Sequence, residues 1–233
     1  MSNSTYLNKC FTNYINKEEI KIIFELGSRD LLDALELKKY YNKSKIYSFE
    51  CNPDSIIECE KNLINNNDIT LIKKAVSIEN TNVDFYPFDR TKYDNIGASS
   101  MYLIDFTKRN KNDPDYNREN PQYKITVEGI RLDKYMNENS INNIDLLCMD
   151  LQEYELNALK SLGNKLNNVK YIITECSINN TYINGTYFKE LNDFLIKNNF
   201  IYISNDYGDI NYILNNVRDN YIFINLLYKN KNL

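Results

Sequence analysis

Lys21-Ile22-Ile23-Phe24-Glu25-Leu26-Gly27-Ser28-Arg29-Asp30 decides how this chain folds. The first half is a short apolar run ending in a carboxylate, the pattern of a parallel strand buried on both faces. The second half places one of only six glycines in the chain directly after that strand. Gly27 lets the backbone turn tightly and approach a ligand closely, and a helix starting there offers free N–H groups to an anion. In open α/β sheets, ligands bind beyond the carboxyl ends of the strands, so this junction is a candidate site.

Four further runs repeat the pattern: KIYSFE (45–50), ITLIKKAV (69–76), IDLLCMD (144–150) and VKYIITE (169–175). Helical patterns separate them. One covers residues 31–41. The next opens with Asn52 as N-cap and Pro53 at the first helical position, with Ile56, Ile57, Cys59 and Leu63 facing inward. A third follows Asp150 with Leu151, Leu159, Leu162 and Leu166 at helical spacing, and residues 187–198 carry Phe188, Leu191 and Leu195. Strand and helix alternate, which predicts an α/β, Rossmann-like doubly wound sheet. Residues 200–204 and 221–227 are β-rich, without room for a crossover helix between them, and predict a terminal antiparallel hairpin. Residues 89–123 turn polar apart from Gly97-Ala98-Ser99-Ser100-Met101-Tyr102, and predict a lid or insertion.

The totals narrow the class. A length of 233 residues predicts a single domain over 1–233, and 42% hydrophobic residues with 20 Tyr supply its core. A net charge of -4 gives no general attraction to phosphate backbones or anionic membranes, which argues against nucleic acid and membrane as partners. Cys10, Cys51, Cys59, Cys148 and Cys176 are odd in number and lack zinc-type spacing, so they predict reduced thiols. Without an apolar leader or any window near the ~18 apolar residues that span a bilayer, the expected location is cytoplasmic. The chain has no His, which excludes Ser-His-Asp and Cys-His mechanisms and leaves Asp, Glu, Lys or Tyr as general base.

Glu50 closes the second strand 25 residues after Glu25. A carboxylate there can accept both hydroxyls of a ribose. A dinucleotide fold would require two further glycines after Gly27, and Arg29 with Leu31 or Leu32 stands in their place, which argues against NAD.

Together these residues resemble the FkbM-type methyltransferases within the class I methyltransferases. The motifs are FELGSRD (24–30), YSFECNPD (47–54), IKKAVS (72–77), GASSMY (97–102), IRLDKYM (130–136), IDLLCMDLQEYELNALKSLG (144–163) and YIITEC (171–176). The resemblance implies a class I methyltransferase fold with a seven-stranded sheet of order 3-2-1-4-5-7-6 and an antiparallel last hairpin. It implies S-adenosyl-L-methionine as cofactor and O-methylation of a sugar or related hydroxyl. Carried over by position, Glu25 and Gly27, with Ser28 and Asp30 of the same loop, cradle the methionine end. Glu50 with Cys51 holds the ribose, Lys74 and Ala75 lie near the adenine, and Asp150 faces methyl transfer. The sequence departs from the family at Leu31 and Glu153, where the family has glycines. These departures bear on the width of the cofactor loop and on the substrate side.

Methyl transfer from a sulfonium requires alignment of donor and acceptor and removal of a hydroxyl proton. Asp150 and Glu175 end neighbouring strands, so one can serve as base, or both can hold a divalent cation such as Mg²⁺. The alternative for Asp150 is a capping box, with Asp150 accepting from the helix N–H and Glu153 reaching back. Ser99 and Ser100 are candidate donors to cofactor or acceptor, or simply form a turn. Arg90, Lys92, Lys108, Arg109, Lys111 and Arg118, beside Tyr93, Tyr102 and Tyr116, suit the diphosphate and rings of a nucleotide sugar, or are solvated. The leading expectation is an O-methyltransferase of a sugar, nucleotide sugar or glycan-like small molecule. The alternatives are an RNA or cap ribose 2'-O-methyltransferase, and a catalytically silent cofactor-binding module.

Overall fold

The computed structural model describes residues 4–64, 66–92, 96–108, 120–216 and 222–233. Its strands are β1 (Ile22–Leu26), β2 (Lys45–Phe49), β3 (Ile69–Ile72), β4 (Ala75–Val76), β5 (Asn82–Phe85), β6 (Ile125–Ile130), β7 (Ile144–Met149), β8 (Val169–Ser177), β9 (Phe200–Asn205) and β10 (Phe223–Asn230). The helices are α1 (Lys9–Thr12), α2 (Leu32–Tyr40), α3 (Pro53–Asn62), α4 (Leu132–Glu138), α5 (Glu155–Ser161), α6 (Phe188–Lys197) and α7 (Ile210–Asn216), preceded by a 3-10 turn at Thr5–Leu7.

Seven strands form one sheet in the order β3-β2-β1-β7-β8-β10-β9. Strands β3, β2, β1, β7 and β8 run parallel, while β10 lies antiparallel between β8 and β9. Counted along the sheet alone, this is the expected 3-2-1-4-5-7-6. Side chains alternate between two cores: Phe24, Leu147 and Ile172 pack on one face, and Ile23, Leu146 and Ile173 on the other. Both faces being covered explains why these strands read as unbroken apolar runs. Each such side chain, withdrawn from water, contributes about 1.5–3 kcal/mol.

Several local expectations change. The run 69–76 is not one strand: β3 ends at Ile72, and Ala75–Val76 joins a three-stranded sheet of order β4-β6-β5. Lys73 and Lys74, the two residues between β3 and β4, pair with Glu60 and Glu128. In α3, Asn52 Oδ1 accepts from the Asp54 N–H at 3.2 Å and Pro53 takes the first position, but Ile57 is exposed rather than inward. Helix α5 begins at Glu155 rather than just after Asp150, and α7 lies within the connection of the terminal hairpin. All five cysteines are unpaired, with Cys59, Cys148 and Cys176 buried. Among the described residues, no helix is long and apolar enough to cross a membrane.

Candidate active site

The carboxyl edge of the sheet opens into a cleft of about 510 Å³ bounded by the ends of β1, β2, β7 and β8. Gly27 is at φ +86, and a Cβ there would overlap the Asp150 carbonyl oxygen. Only a glycine allows this approach of the β1 and β7 ends, which the Asp150 N–H secures by donating to the Leu26 carbonyl at 3.0 Å. The N–H groups of Gly27 and Ser28 donate to the Phe49 carbonyl at 3.0 and 3.1 Å, tying the loop to β2.

Glu50 lines the cleft and is 8% exposed. Its Oε2 accepts from the Arg29 N–H at 2.7 Å, and its Oε1 from Cys51 and Asn52 at 2.8 Å each. A carboxylate offers about four acceptor positions, so about one remains for a ligand rather than the two a pair of ribose hydroxyls would use. Burial pushes the Glu50 carboxyl upward, and the three backbone N–H groups pull it back. Cys51, Lys74 and Ala75 also line the cleft, with Lys74 paired to Glu128.

Glu25, Ser28 and Asp30 stand outside the cleft wall. Glu25 is 1% exposed; its Oε2 accepts from the Ser48 hydroxyl, which lies 2.8 Å from Ser28 Oγ. Among the described residues, Glu25 Oε1 has no hydrogen-bond partner. Burial, outweighing the help from Ser48, raises this carboxyl to about 8. Asp30 Oδ1 accepts from the Leu32 N–H at 3.1 Å at the start of α2, and Oδ2 pairs with Arg29 at 3.3 Å.

At the floor, Gln152 Nε2 donates to Asp150 Oδ1 and to Glu175 Oε2, both at 2.7 Å. Tyr182 Oη lies 3.0 Å from Gln152 Oε1 and 2.8 Å from the Ala98 carbonyl, an arrangement that turns the amide nitrogen toward the acids. Burial raises both carboxyls, and Glu175 rises further because Asp150 and Glu155 lie beside it. Of the two, Glu175 is the one pushed further toward holding its proton. The capping box is corrected: Asp150 does not cap α5, whose N-cap is Tyr154, and the Leu151 N–H is taken by Glu155 Oε1 at 2.7 Å. The divalent-cation variant also finds no support. The Gln152 amide nitrogen stands where a cation would need oxygen, and among the described residues no group of three or more acids or thiols is placed to hold a metal.

Gln152 and Glu153 both adopt left-handed backbone, at φ 53 and 71. The Glu153 side chain is buried, with Oε1 accepting from the Thr181 N–H at 2.6 Å and Oε2 from the Tyr182 N–H at 3.1 Å. A Cβ at Gly185 would come within 2.8 Å of the Glu153 Cβ. The Glu153 carboxylate thus pins the loop carrying Tyr182 against the turn carrying Gln152. Ser100 braces the same turn, donating to the Gln152 carbonyl at 2.8 Å, whereas Ser99 lines the cleft and its Oγ accepts from the Phe88 N–H at 3.2 Å.

Of the basic and aromatic residues expected to meet a nucleotide sugar, Arg90, Lys92 and Tyr102 do not line the cleft. Tyr93, Arg109, Lys111, Tyr116 and Arg118, and the side chain of Lys108, lie outside the described residues, as does Tyr221 of the expected hairpin. Gln152, Tyr182, Glu153 and Tyr6 were not legible as site residues. Only Glu153 carried a signal, as the residue standing at a family glycine.

The methyltransferase FkbM domain family matches residues 27–202, more than half of the chain. The chain belongs to the FkbM methyltransferase-domain family. A relative in that chemistry, the 2-O-methyltransferase NoeI of Sinorhizobium fredii (strain NBRC 101917 / NGR234), is 26% identical over 162 residues, 69% of this chain and 65% of that protein. The fold is shared with the FkbM methyltransferase of Methylobacillus flagellatus KT at a TM-score of 0.56 and 9% identity, over 94% of this chain and 46% of that one. It is shared also with Aeropyrum pernix fibrillarin, solved with natively bound S-adenosyl-L-methionine, at a TM-score of 0.50 and 10% identity over 91% and 66% of the two chains. The chain thus spans less than two thirds of the curated relative and less than half of the FkbM structure. Within the FkbM frame, the two departures from glycine keep glycine-like backbone: Leu31 is at φ 69 and Glu153 at φ 71.

Proposed function

We propose that this chain is an S-adenosylmethionine-dependent O-methyltransferase acting on a hydroxyl of a sugar or glycan-like small molecule. The cleft fits the cofactor's parts. Gly27 leaves room that a side chain would fill, Glu25 keeps behind the loop a buried oxygen unpartnered among the described residues, and Glu50 retains an acceptor position in the wall. Residues Gly27 to Arg29 would hold the amino-acid end, Glu50 one ribose hydroxyl, and Lys74 with Ala75 would flank the base. When bound, the sulfonium supplies a methyl group open to in-line displacement.

The chain's own residues do the rest. Asp150 takes the proton from the acceptor hydroxyl as it attacks. Glu175, pushed further toward holding its proton, leaves Asp150 as the better acceptor of the two, while Gln152, fixed by Tyr182, holds both carboxyls in place. The convergence of Asp150 and Glu175 on one amide at the floor of the cleft carries this reading. A hydroxyl needs a base, and these are the acids placed to provide one.

For the acceptor, the relative's name as a 2-O-methyltransferase supports transfer to an oxygen, and the aromatic lining from Phe88 and Tyr182 supports a ring that packs against apolar surface. The five unpaired thiols accord with a reducing, cytosolic setting. The left-handed backbone kept at Leu31 and Glu153 removes the main ground for a silent module.

The test is methyl transfer from labelled S-adenosylmethionine to a panel of mono- and oligosaccharides, with RNA alongside. Label on a carbohydrate, lost in Asp150→Asn, supports the proposal. Transfer to RNA alone, or undiminished transfer by the variant, overturns it.

A further inference from the structure

Tyr6 lies far upstream of every motif, outside residues 27–202 that match the family. Its side chain nonetheless forms part of the cleft wall together with Thr5. The segment is firmly seated: Phe11 and Ile15, a few residues on, are buried in the core cluster that also holds Tyr6. Asn8 Oδ1 accepts from the Cys10 N–H at 3.1 Å, and the Leu7 N–H closes the turn on the Ser4 carbonyl at 3.2 Å.

Tyr6 is 3% exposed, yet its hydroxyl makes no hydrogen bond among the described residues. The ring is buried, but the hydroxyl oxygen is not closed off with it and reaches the open side of the cleft. Burial holds the phenol well above its ordinary range, and the nearby Asp150, Cys148 and Asp33 add to that. It is therefore a neutral donor facing the cleft at the end where acids gather.

An α-amino acid presents an ammonium and a carboxylate side by side. Acids at this end suit the ammonium, whereas the carboxylate requires donors. The side-chain donors lining this end are the hydroxyls of Thr5 and Tyr6 and the Arg29 guanidinium, and of these three Tyr6 is the one buried in the wall. On the strength of the cofactor reading above, we propose that Tyr6 donates a hydrogen bond to the α-carboxylate of the bound nucleoside. The N-terminal turn is then a working wall of the cofactor site.

Calorimetric titration of the whole chain tests this with two probes: S-adenosylhomocysteine, and its decarboxylated analogue, which keeps the ammonium. Tyr6→Phe retains the ring and is expected to melt with the unmodified protein. Loss of a hydrogen bond to a charged group predicts S-adenosylhomocysteine affinity lower by about 10-fold or more, with the decarboxylated analogue bound within about twofold of the unmodified protein. Unchanged affinity for S-adenosylhomocysteine overturns the assignment, as does equal weakening for both probes, which marks Tyr6 as a packing residue. If the unmodified protein takes up neither probe, the cofactor reading itself fails and takes the Tyr6 assignment with it.

Discussion

Replacing Glu25 with glutamine should make the folded protein less sensitive to alkaline pH. The carboxyl is 1% exposed, has one oxygen without a partner among the described residues, and is raised from 4.5 to about 8 chiefly by burial. In the unfolded chain it ionises near 4.5, so unfolding releases a proton across the whole interval between. A carboxyl raised in this way favours the fold fully below pH ~4.5, and that contribution is lost as pH rises through about 8. Between pH 5.5 and 8.5 the loss amounts to about 3 kcal/mol for this one group. At a urea dependence of ~3 kcal/mol per M, it moves the unfolding midpoint by about 1 M. Glu155, also raised to about 8 by burial, adds a parallel slope that Glu25→Gln leaves untouched. Urea unfolding at the two pH values, on both proteins, reads the difference. Glu25→Gln should lose about 1 M less than the unmodified protein. An identical pH dependence in both would show that Glu25 ionises in the fold much as it does in water.

Three further outcomes are expected. Glu50→Gln should bind S-adenosylhomocysteine about 10- to 150-fold more weakly by calorimetry, the range of one lost charge-assisted bond; undiminished affinity would remove Glu50 from the ribose site. Asp150→Asn should lower turnover about 10²- to 10⁴-fold while keeping S-adenosylhomocysteine affinity within about threefold, measured by single-turnover kinetics and calorimetry. Leu31→Gly restores the family residue at φ 69, but its side chain is fully buried. Relief of about 1–2 kcal/mol of backbone strain against about 2–5 for the lost side chain predicts a lower melting temperature, not a higher one.

The sheet was legible because its strands are apolar on both faces and end in marked residues. Gly27, Glu50 and Asp150 could be placed by knowing only where each strand stops, whereas Glu175, expected at the end of its strand, lies two residues inside β8, which continues to Ser177. The break after Ile72 was harder, because Lys73 and Lys74 lie within an otherwise continuous β-like run. The small sheet escaped notice because β5 and β6 are half-exposed and separated by the long polar segment. Misreading Asp150 as a possible cap had a local cause. Asp-Leu-Gln-Glu scans as a helix start, but Gln152 and Glu153 turn left-handed and delay α5 to Glu155. That same turn, which no side chain in the motif announces, puts Gln152 between the two acids. Tyr182 and Tyr6 reach the cleft through contacts distant in sequence, and periodicity carries no information about those.

The cofactor cleft itself is tested most directly by equilibrium dialysis of the folded protein against radiolabelled S-adenosylmethionine. Saturable uptake of one molecule per chain, displaced by S-adenosylhomocysteine and weakened in Glu50→Gln, is the expected result. Absence of saturable uptake by protein that unfolds cooperatively would contradict it.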